Sequence, residues 1–340
     1  MTTLPGLGVR QRWWKGLVFV AMLSACSSGA SDPTASGADI RGDTILVVIP
    51  MGASFQTVTD TLHHRGLLDH PKLFRLYARW KGVDTQVRAG SYELQLGLGW
   101  GELLEPLTQG AVVTEAVTVP EGLTLPAIAE RLAPVSGITG DSMLTLVASP
   151  QAHEEWGVPG PGLEGYLFPD TYRFAPGIAP TRVVQTLVDR YHSVWTQERR
   201  ARMDSLGFTE RELMTLASVV QAEARLDSEM PRIAAVFHNR LRLGMPLQSD
   251  PTVLYALGGW RPRLLYAAMD SVADHPYNTY TQGGLPPGPI GAPGEAAIQA
   301  TLYPEDSDYL YFVAHPDGRH IFSRTLQEHN RAVGEMRRLR

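Results

Sequence analysis

The sequence predicts an α+β fold, in which a small strand-and-helix unit precedes a larger, mainly helical region. Three observations predict it. β-Branched runs near 47–49 and 117–119 each stop at a Pro-x-Gly step. Helical periodicity dominates residues 180–243. Two short strands and a helix close the chain after residue 308. Composition sets outer limits. With 340 residues, 44% hydrophobic and 19% charged, the chain has enough apolar content for two cores and too much for general disorder. Its single cysteine excludes an internal disulfide and any Cys-rich metal site. A formal charge of −5 argues against nucleic acid as a partner.

The elements follow in order. Residues 1–25 carry Arg10, Arg12 and Lys15, no acid, and a short apolar run from Leu17 to Leu23, the pattern of a secretory signal. Leu23-Ser24-Ala25-Cys26 resembles the lipobox of bacterial lipoproteins, which makes Cys26 the expected lipid anchor. Without residues 1–25 the chain keeps 27 basic against 35 acidic side chains, a charge of −8. Residues 26–42 are small, polar and aperiodic, as in a flexible tether.

Residues 47–55 and 117–125 read as two copies of one pattern. In each a strand ends at Pro50 or Pro120, turns at Gly52 or Gly122, and meets a helix start at Ser54 or Thr124. The helices are expected at 54–65 and 124–133. Between them a helix is expected at 71–81, with Leu73, Leu76, Tyr77 and Trp80 on one face, then a strand at 90–96 and a helix at 100–108. The strand–helix–helix–strand order resembles the LysM-like modules that hold glycan chains; a plain spacer above a membrane fits it equally. On this reading the module covers 43–134 and a catalytic domain covers 135–340. The latter has helices at about 180–204, 209–226 and 229–243, a Gly/Pro-dense loop after 275, strands at 308–314 and 319–323, and a last helix from 325.

Chemistry concentrates in three places. Thr209 and Glu212 form a capping box at a helix start, and Leu213, Leu216, Ala217, Val220 and Ala224 make its apolar stripe. Glu223 falls at the edge of that stripe, where burial should raise its pKa toward that of a general acid. A surface glutamate with a packed stem fits the position as well. Next, Gln248, Ser249 and Asp250 follow a Gly-Pro break and precede Pro251, itself an ordinary helix start. Third come Tyr277, Asn278, Thr279 and Tyr280, then the loop 283–294; aromatic and amide groups of this kind suit sugar rings.

These segments resemble the MltG-type (YceG-like) endolytic murein transglycosylases. The resemblance rests on residues 217–224 (ASVVQAEA), 236–241 (VFHNRL), 247–253 (LQSDPTV), 277–280 (YNTY), 284–290 (GLPPGPI) and 309–313 (YLYFV), and extends over about 43–337. It implies cleavage of the MurNAc–GlcNAc bond within peptidoglycan strands, leaving 1,6-anhydroMurNAc ends, with no cofactor and no metal. Glu223 is the implied catalytic residue; Gln248, Ser249, Asp250, Tyr277, Asn278 and Tyr280 are the implied substrate contacts. Members often carry Glu where this chain has Gln221, and commonly use a membrane-spanning helix in place of a lipobox. The partners implied are glycan strands and peptidoglycan synthases, on the outer side of a bacterial membrane. A hydrolase would need a second carboxylate, for which Asp250, then Glu164 and Asp170, are the candidates. A non-catalytic glycan-binding module is the other alternative. His315, His320 and His329 lack metal-site spacing.

Overall fold

The computed structural model describes residues 44–50, 52–110, 113–259, 261 and 264–339. The signal segment, Cys26 and the tether lie outside these residues. Among the described residues no helix is long and apolar enough to cross a membrane.

The first core is built by β1 (Thr44–Ile49), α1 (Phe55–His64), α2 (Pro71–Trp80), β2 (Gly90–Gln95) and α3 (Trp100–Gln109). β1 and β2 pair antiparallel, with Val47 opposite Tyr92. Alternation along β1 turns Val47 and Ile49 into the core, where they meet Leu62, Phe74, Leu94 and Leu107. Ser54 caps α1, its hydroxyl accepting the Thr57 amide. The expected stripe on α2 exists, but it points outward: the helix buries Phe74 and Ala78, while Leu73, Leu76 and Trp80 are exposed.

The second copy of the repeat belongs to a different core. β3 (Glu115–Val119) leads into α4 (Leu125–Leu132), which is followed by α5 (Gly140–Val147) and α6 (Ala152–Trp156). β3 pairs antiparallel with β4 (Asp170–Phe174), Val117 facing Tyr172. Val119 and the buried residues of α4 share one apolar cluster with Met143, Tyr166 and Leu187. The sequence boundary at 134/135 therefore cuts through a continuous core; the apolar clusters part between Leu107 and Val119. β1 finds its partner within the first module, whereas β3 takes its partner from beyond residue 135. Gly52 and Gly122 both hold left-handed backbone, at φ 76° and 77°. The caps differ, however. Thr124 makes no side-chain cap; the Glu164 carboxylate takes the Leu125 amide instead.

The expected helix over 180–204 is two: α7 (Pro180–Val194) and α8 (Gln197–Leu206). They break at Trp195, and Thr196 caps the second through its hydroxyl, accepting from the Arg199 amide. α9 (Glu210–Glu223) starts with the expected Thr209–Glu212 capping box. It is not the amphipathic surface helix its stripe indicates, since every residue from Leu213 to Val220 is buried. α10 (Met230–Arg242), α11 (Asp250–Ala256), α12 (Tyr266–Asp270) and α13 (Glu295–Leu302) follow, with α9, α10 and α13 sharing a third apolar cluster. β5 (Tyr311–Ala314) and β6 (His320–Ser323) form a hairpin, and α14 (Leu326–Leu339) ends the described chain.

The Gly/Pro loop at 283–294 is largely internal. Gly122 donates to Ala292 O at 2.7 Å, Ala292 donates to Leu123 O at 2.8 Å, and the Ile290 amide donates to the Ser218 hydroxyl at 3.0 Å. A Cβ on Gly291 would meet Gly122 O at 2.8 Å, and backbone cannot step aside. Gly291→Ala is expected to destabilise by about 2 kcal/mol. Denaturant titration checks this, and a change within error would mean the loop has slack.

Candidate active site

Glu223 is the last residue of α9, and Ala224 beyond it is extended. The helix thus ends three residues earlier than its sequence pattern indicates, and Glu223 sits at the negative end of the helix dipole, which disfavours a carboxylate. The residue keeps some surface open, yet its carboxyl is packed deeply. Burial is the largest influence and pushes its pKa up to about 7; the nearby Asp250 adds to this, while the Ser249 hydrogen bond and the Arg240 charge oppose it. Ser249 is buried and donates its hydroxyl to Glu223 Oε1 at 2.6 Å.

Local chain geometry aims Ser249 at that carboxyl. Gln248, at φ 51°, is the sole non-glycine among the described residues with left-handed backbone. Its amide donates to Thr279 O, and the Ser249 amide donates to the Thr279 hydroxyl at 3.0 Å. Thr252 and Thr279 join their hydroxyls at 2.8 Å. The 247–252 turn is therefore clamped to the 277–280 segment. On the open side Tyr280 donates to Asp250 Oδ1 at 2.6 Å, and this interaction together with burial holds the phenol protonated.

A cavity of about 680 Å³ lies next along the chain from this group. Ala222 and Pro251, the neighbours of Glu223 and Asp250, form part of its wall, with Thr124, Glu164, Tyr255, His275, Tyr277 and Ile290. The Tyr255 and Tyr277 rings lie 4.8 Å apart. Glu164 accepts from the Leu125 amide and the Tyr255 hydroxyl, yet burial outweighs both and pushes its pKa up to about 7. A protonated carboxyl beside an aromatic-walled cavity can donate a proton to a bound ligand and take one back.

A profile of the YceG-like family matches residues 47–335. The chain belongs to this family. The endolytic murein transglycosylase of Bacillus subtilis is 33% identical over 306 residues, covering 85% of this chain and 84% of that protein. The one from Streptococcus pneumoniae is also 33% identical, over 324 residues, but there the chain spans only 58% of the relative's length. A crystal structure of a YceG-like protein from Listeria monocytogenes aligns with a TM-score of 0.58 at 31% identity, covering 86% of this chain and 99% of that one.

Within this YceG-like chain the sequence-predicted residues fall into distinct positions. Glu223, Ser249, Asp250 and Tyr280 form one connected group. Tyr277 stands in the cavity wall and Gln248 is exposed at the turn. Asn278 is different. It is buried, its amide donates to Met269 O and Val272 O, and its Oδ1 accepts the Tyr280 amide, so it pins the loop with both amide hydrogens already engaged. Of the candidate second carboxylates, Asp250 and Glu164 lie near the cavity, whereas Asp170 is held ionised by Arg190 at 2.8 Å on β4. Gln221, where relatives often carry Glu, accepts the Gly294 amide and so holds the internal loop. His320 pairs with Glu229, His315 with Asp317, and His329 stacks on Tyr311.

Thr279, Tyr255, His275 and Arg240 join the site without being candidate contacts in the sequence. Thr279 and Arg240 lie inside the 277–280 and 236–241 motifs, and Tyr255 and His275 are aromatic or titratable residues close to them. Arg240 is buried and donates from Nε to Leu310 O and from Nη1 to Leu247 O, each at 2.7 Å. It ties the hairpin to the turn that carries Ser249. Arg240→Ala leaves these carbonyls unpaired and is expected to cost about 3 kcal/mol. An unchanged unfolding midpoint would show that the carbonyls find other donors.

Proposed function

We propose that this chain is an endolytic murein transglycosylase that cleaves MurNAc–GlcNAc bonds within peptidoglycan strands and limits strand length. One observation carries the reading: the Glu223 carboxyl at the end of α9, raised to about 7 and held by Ser249, directly follows Ala222 in the wall of an aromatic-lined cavity. Protonated Glu223 gives its proton to the glycosidic oxygen as the C1–O bond breaks. The C6 hydroxyl of the same muramoyl residue then attacks C1, and Glu223, now a carboxylate, takes the hydroxyl proton. No water is consumed, and the bound geometry supplies the nucleophile, so a second carboxylate is not needed. Ser249 is the positioning residue; Gln248, Asp250, Tyr277 and Tyr280 contact the sugar.

The names of the relatives support this reading over hydrolysis. Mass spectrometry of digested glycan strands tests it. Anhydro ends are expected with wild type, and reducing ends in their place would overturn it. The βααβ unit over 44–95 is proposed as a LysM-like module that holds the strand or spaces the site from the membrane. Cys26 is the proposed lipid anchor, placing the folded part in the cell envelope outside the cytoplasm, where peptidoglycan synthases are the expected partners.

A further inference from the structure

The outward face of α2 has no role in the first core or in the cavity. Leu73, Leu76 and Trp80 are 55%, 64% and 76% exposed, and they share one side of the helix at i, i+3 and i+7. Tyr77, half-buried, continues the stripe; its ring lies 6.3 Å from that of Trp80. Three large apolar side chains this exposed on ten residues are unusual for a face that meets only water.

Charge around the face runs against the rest of the chain. Residues 71–81 contain Lys72, Arg75, Arg79 and Lys81 and no acid, in a protein whose formal charge is −5. Arg75 and Arg79 are partly engaged by Asp60 and Asp84. The Lys81 ammonium lies over the Trp80 ring, 5.2 Å from its centre, at the edge of the apolar stripe. Leucine and tryptophan on one side of a helix with lysine and arginine along the margins is the pattern of a helix lying in a bilayer interface. A sugar platform differs: it presents flat aromatic rings with amides or acids to bond hydroxyls, whereas here the protruding groups include two leucines and the polar neighbours are cations.

We propose that the outward face of α2 docks onto an anionic lipid surface, with Leu73, Leu76 and Trp80 in the interface and Lys72, Arg79 and Lys81 toward the headgroups. The surface stands on its own residues and does not depend on which bond the cavity cleaves. It would hold the first module flat against the membrane in addition to any anchor at the N-terminus.

The test uses the full chain in vesicles of dibrominated phosphatidylcholine, with and without about a third phosphatidylglycerol. The Trp80 signal is the difference in emission between wild type and Trp80→Phe, which cancels the other tryptophans. With phosphatidylglycerol present, bromine is expected to quench that difference signal at least about twofold. Without it, or with Lys72→Glu combined with Lys81→Glu, the quenching should disappear. A Trp80 signal that bromine leaves untouched in either vesicle overturns the proposal, as does quenching indifferent to phosphatidylglycerol. Loss of binding to insoluble peptidoglycan in Trp80→Ala, with no lipid quenching in wild type, would assign the face to glycan and likewise overturn it.

Discussion

Glu223→Gln is expected to lower cleavage of intact glycan strands by about 10³-fold or more while leaving the protein folded. The size follows from the double use of one carboxyl. The amide can neither give the first proton nor take the second, and both transfers fall in the bond-changing steps. Gln keeps the shape and can still accept the Ser249 hydroxyl, so the 247–252 turn should stay in place. Wild-type activity should fall as pH rises through about 7, because only the protonated carboxyl can start the reaction. Rates on purified strands, with anhydro ends counted by mass spectrometry, check both points. Residual activity within about tenfold of wild type would remove Glu223 from the role of acid.

The second expectation concerns stability. Glu223 and Glu164 are both raised from the ordinary 4.5 to about 7 by burial. Below pH 4.5 each is protonated in the folded and the unfolded chain, and neither costs anything. Between 4.5 and 7 the unfolded chain releases the protons while the folded chain keeps them, so stability falls as pH rises. Above 7 the full penalty is present, up to about 3 kcal/mol for each group. Glu164→Gln should therefore flatten the decline between pH 5 and 8.5 and approach or exceed wild-type stability at the alkaline end. At pH 5, where the folded chain holds Glu164 as a neutral carboxyl, the two should be close in stability, since an amide oxygen accepts the Leu125 amide much as a neutral carboxyl does. His238, held low by burial, acts in the opposite sense, so the variant-minus-wild-type difference is the quantity to measure. Urea midpoints across that range decide it, and parallel pH slopes would sink the assignment.

How much of this was legible in sequence varies by element. Local chemistry was readable where it is self-contained: the Ser54 cap, the Thr209–Glu212 box and the left-handed glycines at 52 and 122 each follow from a few adjacent residues. The βααβ order of the first core was readable for the same reason. The break at Trp195 was not, because residues 197–202 are nearly all polar helix formers, which leave no apolar period to show an interruption. Nor was the role of Asn278, since its partners are backbone carbonyls whose positions no side-chain pattern records.

Sequence by itself determined the α+β class, the family resemblance and the choice of Glu223 as the carboxyl to watch, because these rest on residue types and short spacings. Tertiary structure decided the rest. It ended α9 at Glu223, set Ser249 against the carboxyl through a left-handed Gln248, and brought Glu164 from a distant segment into the wall of the cavity that Ala222 also lines. It also turned the α2 stripe outward and placed the second repeat in another core. The physical reason is common to all of these. Burial, pKa and strand pairing depend on which distant surfaces meet, and periodicity shows that a face is apolar without showing what covers it.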